Sequence, residues 1–176
     1  MNLKAKISIV LAATILVAGA ATGCNTQNDQ AESMEALYAL NVKEAPVAAD
    51  PSGAIDGIYS SLDDYEAVEM NDEQLEKFTG INDEFALEVY GMRSDPKSVL
   101  ADVIVVKPLP GVREEVRTML GKYKSERMKE FENYDILDAY SISKSAVIYD
   151  QGEFLVLLML EDNDDEQNIV DEYIPH

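Results

Sequence analysis

Acid groups are where this chain has chemistry to offer. Asp and Glu number 34 against 14 Lys and Arg, for a formal net charge of −20, whereas histidine and cysteine occur once each, as His176 and Cys24. With its one imidazole at the last residue, the chain lacks a base that a cleft could hold for Ser-His-Asp or Cys-His catalysis. Zinc sites built on His or Cys lack ligands for the same reason. No G-x-x-x-x-G-K-[ST], G-x-G-x-x-G or C-x-x-C occurs. The pattern argues against the usual hydrolases and oxidoreductases and calls for no cofactor. Two acids flanking a cleft, as in a glycosidase, remain open, but nothing singles out a pair and there is no Trp to stack on a sugar. Asp162-Asn163-Asp164-Asp165-Glu166 clusters the oxygens that hard cations favour. Against the twelve-residue calcium loop, however, Gln167 takes the glycine position and Tyr173 the closing glutamate. That stretch reads instead as an acidic helix start, and no metal site is assigned.

One basic residue asks for an explanation. At about 100° per residue, Val112, Val116, Leu120, Tyr123 and Phe131 share one arc of a long predicted helix, and Arg127 falls between Tyr123 and Leu120. Glu130 lies at the border of the same arc. A charge there must pair, snorkel or bind something. Three readings follow: an i,i+3 pair with Glu130, extended by Tyr123, Tyr134 or a strand carboxylate; a ligand site made of Arg127, Glu130, Tyr123 and Tyr134 that takes an anion or carboxylate; or a helix rotated to expose both charges.

Ahead of these groups lies a leader. Lys4 and Lys6 precede the apolar run Ile7–Ala21, and small residues lead into Cys24, the layout of a secretory signal peptide. Ala21-Thr22-Gly23-Cys24 resembles a bacterial lipobox, with Ala21 where Leu is usual. The resemblance implies cleavage before Cys24 and attachment of a diacylglycerol to its sulfur, so that the membrane becomes a partner through that residue. Removing Met1–Gly23 takes away two lysines and no acid, which leaves the mature side chains at −22. Such a charge repels nucleic acid and anionic headgroups and suits cationic or neutral ligands. A single cysteine permits no internal disulfide. The expected organisation is a signal peptide over 1–23, a lipidated cysteine and flexible tether over 24–50 with a reach of about 25–30 Å, and one folded domain over 51–176.

Within that domain Asp50-Pro51 opens a helix carrying Ile55, Ile58, Tyr59 and Leu62. Asn71 and Gln74 form a capping box for a second, which carries Leu75 and Phe78 and ends at Gly80. Phe85, Leu87 and Val89 alternate with Ala86, Glu88 and Tyr90 as a strand, and Val99–Val106 is a second, buried one. The long helix spans Gly111–Glu132, and Gly121 within it suggests close packing or a bend. A loop over Asp135–Ser141 precedes the hairpin Ser145–Tyr149 and Phe154–Leu160, and Asp162–Tyr173 is the last helix. The order α-α-β-β-α-β-β-α predicts an α+β fold: an antiparallel sheet of about four strands with helices mainly on one face.

Several stretches carry a family resemblance: Asp72-Glu73-Gln74-Leu75, Gly80-Ile81-Asn82, Ala101–Lys107, Arg127–Tyr134 and Gly152–Leu157. Across Ile55–Glu161 the chain resembles the uncharacterised domain of unknown function found in many Gram-positive lipoproteins. This implies an extracytoplasmic, lipid-anchored domain and supplies no mechanism. The sequence thus favours a non-catalytic binding or accessory module on the outer face of the cytoplasmic membrane, with an envelope protein or a small ligand as partner. A carboxylate-dependent hydrolase acting on envelope material is the alternative.

Overall fold

The computed structural model describes residues 48–62, 65–95, 97–133 and 136–176. The leader, Ala21, Thr22, Gly23 and Cys24, nearly all of the tether, and Tyr134 lie outside these residues. Ten elements follow one another: α1 (Pro51–Ser61), β1 (Ala67–Glu69), α2 (Asp72–Thr79), β2 (Ala86–Ser94), β3 (Asp102–Pro108), α3 (Arg113–Phe131), α4 (Ala139–Ser145), β4 (Val147–Gln151), β5 (Phe154–Met159) and α5 (Asn163–Tyr173). The helix starts follow the local chemistry. Asp50 accepts a hydrogen bond from Gly53 N at 2.9 Å ahead of Pro51, and Asn71 and Gln74 cap α2 reciprocally. Gly80 closes α2 with φ at 78°, a left-handed geometry that glycine adopts without penalty. Asp162 caps α5 through Asp164 N and Asp165 N.

The strands form one antiparallel sheet in the order β1-β2-β3-β5-β4. It has five strands where the sequence predicts about four. The addition, β1, is three residues long, too short to show a period, and is defined only by pairing with Met92–Ser94. The two central strands bury both faces. Val103, Val105, Val156 and Leu158 point to one side, and Ile104, Val106, Leu155, Leu157 and Met159 to the other. Three helices, α2, α3 and α4, cover the second face, and α1 and α5 cover the first. Helices predicted mainly on one face are therefore divided three to two, because β3 and β5 are apolar on both sides and neither side tolerates water. The result is an α+β fold.

Three local expectations are corrected. Ala139–Ser145, read partly as loop, is a short helix that buries Ala139, Ile142 and Ser143; two turns are too few for periodicity to declare. Leu87 does not share the inward face of Val89: the register of β2 against β3 shifts between Ala86 and Glu88, and Leu87 is 58% exposed. An extra residue in a bulge turns out of the pleat. Gly121 does not mark close packing, since a Cβ there would meet nothing within 4 Å.

The long helix α3 is fastened to the far edge of the sheet by its cations. Arg113 donates to Asp150 at 2.7 Å and to the carbonyls of Gly152, Glu153 and Phe154. Arg117 reaches Asp150 and the Ile148 carbonyl, and Lys124 the Ala146 carbonyl at 2.6 Å. The bond from Arg113 first, then Arg117, holds the Asp150 carboxyl below the usual range. These contacts occupy carbonyls along the outer edge of β4, which would otherwise invite another strand.

Glycine substitutions test this packing. Gly121→Ala is expected to stabilise the fold by up to about 1 kcal/mol, read as a higher denaturant midpoint. Gly152→Ala is expected to cost at least about 1 kcal/mol, because φ is +53° and the new Cβ would lie 2.4 Å from the Pro175 carbonyl oxygen. A loss at Gly121 would contradict the open space around that position.

Candidate functional site

Two polar constellations stand out, one closed and one open. The closed one centres on Asp102, at the start of β3 and fully buried. Its Oδ1 accepts from Ser94 N at 2.8 Å and Ser94 Oγ at 2.7 Å. Its Oδ2 accepts from Tyr123 Oη and from Arg127 Nε, each at 2.7 Å. Val116, Leu120, Tyr123, Arg127 and Phe131 are the buried residues of α3, so Arg127 occupies a core position in step with its apolar neighbours and is 1% exposed. Its Nη2 also reaches the Ser94 carbonyl and hydroxyl at 3.3 Å, and its Nη1 donates to Glu130. Glu130 is 42% exposed and is shared with Arg93 at 3.1 Å. Arg127 stacks at 5.0 Å from the Phe131 ring centroid, and Arg93 at 4.4 Å from Phe78.

The buried partner of Arg127 is therefore Asp102, a strand carboxylate, and Glu130 pairs with it on the solvent side. Tyr123 belongs to the same cluster, while Tyr134 lies outside the described residues. Arg127 and Tyr123 direct their polar atoms at protein groups inside the core, not into a cleft. Burial lowers the Arg127 pKa, and the opposing contributions, led by the charge of Asp102, outweigh it for a net rise. Burial first, then Asp102, pushes the Tyr123 and Tyr59 phenols far above their ordinary value; burial and then Asp171 does so for Tyr149. Sequence reasoning missed Asp102 and Ser94 as members. Asp102 was within reach: it precedes Ile104 and Val106 at intervals of two, on the inward face of a strand. Nothing marks Ser94.

The open constellation is a cleft of about 570 Å³ between α2 and the first half of β2. Its floor is apolar, from Leu75, Ile81, Ala86 and Val89, and the bulged Leu87 stands beside it. Among the described residues five acids line it, Asp72, Glu73, Glu76, Asp83 and Glu88, and no Lys or Arg does. Asp72 and Glu73 sit in the first turn of α2, where the macrodipole favours acids. Glu76, Asp83 and Glu88 lie beyond that turn. Glu76 accepts from Asn82 Nδ2 at 3.0 Å, and Glu88 from Tyr90 Oη at 3.0 Å with Lys107 Nζ 3.9 Å away. Among the described residues Asp72, Glu73 and Asp83 have no ion-pair partner. Such a surface attracts a cation and shelters an apolar group beside it. No group of three or more His, Cys, Asp or Glu among the described residues converges tightly enough to hold a metal ion.

A family model described as Domain of unknown function (DUF4358) matches residues 60–160, a span that holds the closed cluster and the whole cleft. No curated protein and no solved structure matches the chain.

Two outcomes test the closed cluster. Arg127→Met keeps an apolar stem but strands Asp102, at an expected cost of about 3–5 kcal/mol. Glu130→Gln should cost about 0–1 kcal/mol. Arg127→Met/Asp102→Asn should recover part of the loss. Denaturant melts measure all three, and equal losses for Arg127→Met and Glu130→Gln would remove Asp102 from its assigned role. The second outcome concerns pH. Tyr59, Tyr123 and Tyr149 have folded pKa values raised above the ordinary 10.0, so their contribution is fully present below pH about 10 and is lost above it, as the unfolded chain ionises first. Melts between pH 8 and 12 should show that decline. It should be shallower in Tyr149→Phe, and an unchanged slope would contradict the burial argument.

Proposed function

The chain belongs to the DUF4358 family of domains of unknown function, and from its own residues we propose a lipid-anchored, extracytoplasmic binding module without catalytic activity, which holds a cationic ligand at the α2–β2 cleft. The observation that carries this reading is the cleft itself: an apolar floor rimmed by carboxylates, of which Asp72, Glu73 and Asp83 have no ion-pair partner among the described residues. The disposition of the other polar groups supports it. Asp102, Tyr123 and Arg127 saturate one another in the core, so the strongest electrostatic arrangement in the domain serves the fold. The accessible carboxylates are left to act on whatever approaches from outside. Among the described residues no helix is long and apolar enough to cross a membrane, and the anchor assigned to Cys24 supplies the attachment. A diacylglycerol brings two chains, and two acyl chains hold a protein stably where one would be marginal. With mature side chains at −22, the domain stands off anionic headgroups while tethered to them.

Partition of the full chain between detergent-rich and aqueous phases tests the anchor. Wild type is expected in the detergent phase, and Cys24→Ala as uncleaved precursor or as a released aqueous form. Aqueous partition of both would end the lipoprotein reading. Calorimetric titration with spermine tests the cleft: binding that weakens with salt and is lost in Glu73→Lys/Asp83→Lys is expected, and equal heats from wild type and variant would exclude the cleft as the site.

A further inference from the structure

Strand β1 covers only half of β2. It pairs with Met92, Arg93 and Ser94, and the last bond on this side runs from Met70 N to the Gly91 carbonyl at 2.8 Å. Among the described residues nothing pairs with β2 before Gly91 on that side of the sheet. In an antiparallel ladder successive residues turn their N–H and C=O alternately to the two neighbouring strands. Gly91 and Arg93 face β1, so Met92, Tyr90 and Glu88 face β3, where they oppose Val103, Val105 and Lys107. Val89 must then aim its N–H and C=O outward, over the cleft. No other described residue bonds to them there. The same alternation, carried across β3 and β5, leaves Ala146 and Ile148 facing outward on β4, and those are the carbonyls that Lys124 and Arg117 occupy. Among the described residues one edge of the sheet is thus closed by cations from α3, and the other has no partner along the acidic cleft.

We propose that the open edge of β2 at Val89 is a strand-addition site for an extended basic peptide, whose backbone pairs with Val89 while its lysine or arginine side chains meet the carboxylate rim. This inference rests on the binding reading above and goes further, since it requires a polypeptide and not merely a cation. Backbone pairing supplies affinity in such grooves, and the flanking side chains supply selectivity. Here selectivity has a definite sign. Asp72, Glu73, Glu76, Asp83 and Glu88 favour positive side chains, and Leu87 offers an apolar contact at the bulge. A second copy of this chain is a poor occupant, because edge-to-edge pairing would bring two such rims together.

The test uses the full chain in detergent, the peptide Lys-Val-Lys-Val-Lys-Val-Lys, the same peptide N-methylated at alternate residues, and spermine. Hydrogen exchange at Val89 and binding affinity are the two readouts. The expected result is at least tenfold slower exchange at Val89 with the unmodified peptide, at least tenfold weaker binding of the N-methylated form, and loss of the peptide's binding in Glu73→Lys/Asp83→Lys. Equal binding of both peptides and spermine without protection at Val89 overturns the strand-addition proposal and leaves the cationic-ligand reading standing. Absence of binding by all three probes overturns both. Concentration-dependent protection of Val89 without any peptide overturns the proposal in favour of a second copy.

Discussion

The buried pair of Arg127 and Asp102 is the constraint on which the rest of this domain depends. Each charge loses its water at a cost of several kcal/mol, and the pairing repays it only if the remaining hydrogen-bonding capacity is filled. It is filled: Asp102 accepts from Ser94 N, Ser94 Oγ, Tyr123 Oη and Arg127, which matches the acceptor sites of a carboxylate. Because Tyr123 and Arg127 lie one turn apart on α3 and converge on one carboxylate, they set both the rotation and the height of that helix on the sheet. Ser94 brings the end of β2 to the same point, and Ala101 N donates to its hydroxyl at 3.1 Å. Apolar contacts alone would leave α3 freer to slide. A cluster of directed bonds in a low-dielectric core does not.

The way cations are used inside the fold explains the character of its outside. Arg127 serves Asp102; Arg93 serves Glu130; Arg113, Arg117 and Lys124 serve the β4 edge and the hairpin turn beyond it. Each of these side chains faces back on the protein and offers little positive charge to an approaching molecule. The acids are distributed otherwise. Those around α2 and the first half of β2 have few basic neighbours, so the negative potential of the chain concentrates where the sheet is also least complete. A charged, bulged strand edge is one way to keep like copies apart, and the same edge remains complementary to a chain of opposite charge.

The two faces of the sheet divide the work. The face under α2, α3 and α4 carries the polar cluster and borders the cleft. The opposite face is apolar and close-packed: Gly53 and Gly57 on α1 let the Tyr173 ring of α5 approach to about 3 Å of where a Cβ would stand. Ser94 ends the strand β2 whose first half borders the cleft, so the residues that lock α3 in place also hold that strand. The rigid cluster and the open edge are joined through β2.

Much of this was readable from residue order. Capping at Asp50, Asn71 and Asp162, the apolar runs of β3 and β5, and the misplaced charge at Arg127 are local signals, in which a residue's type and its distance along the chain carry the information. The same holds for the acidic excess, whose consequences follow from composition. Contacts between distant segments were not readable. Pairing of β1 with β2, division of the helices over both faces, Asp102 as the partner of Arg127 and the half-covered edge at Val89 join residues from 21 positions apart (Met70 and Gly91) to 123 (Asp50 and Tyr173), and no periodicity records them. Periodicity reports which face of an element is apolar. It does not report what that face meets, because the partner is chosen by burying both apolar faces of the sheet and saturating every buried charge at once, a condition that only the folded chain as a whole can satisfy.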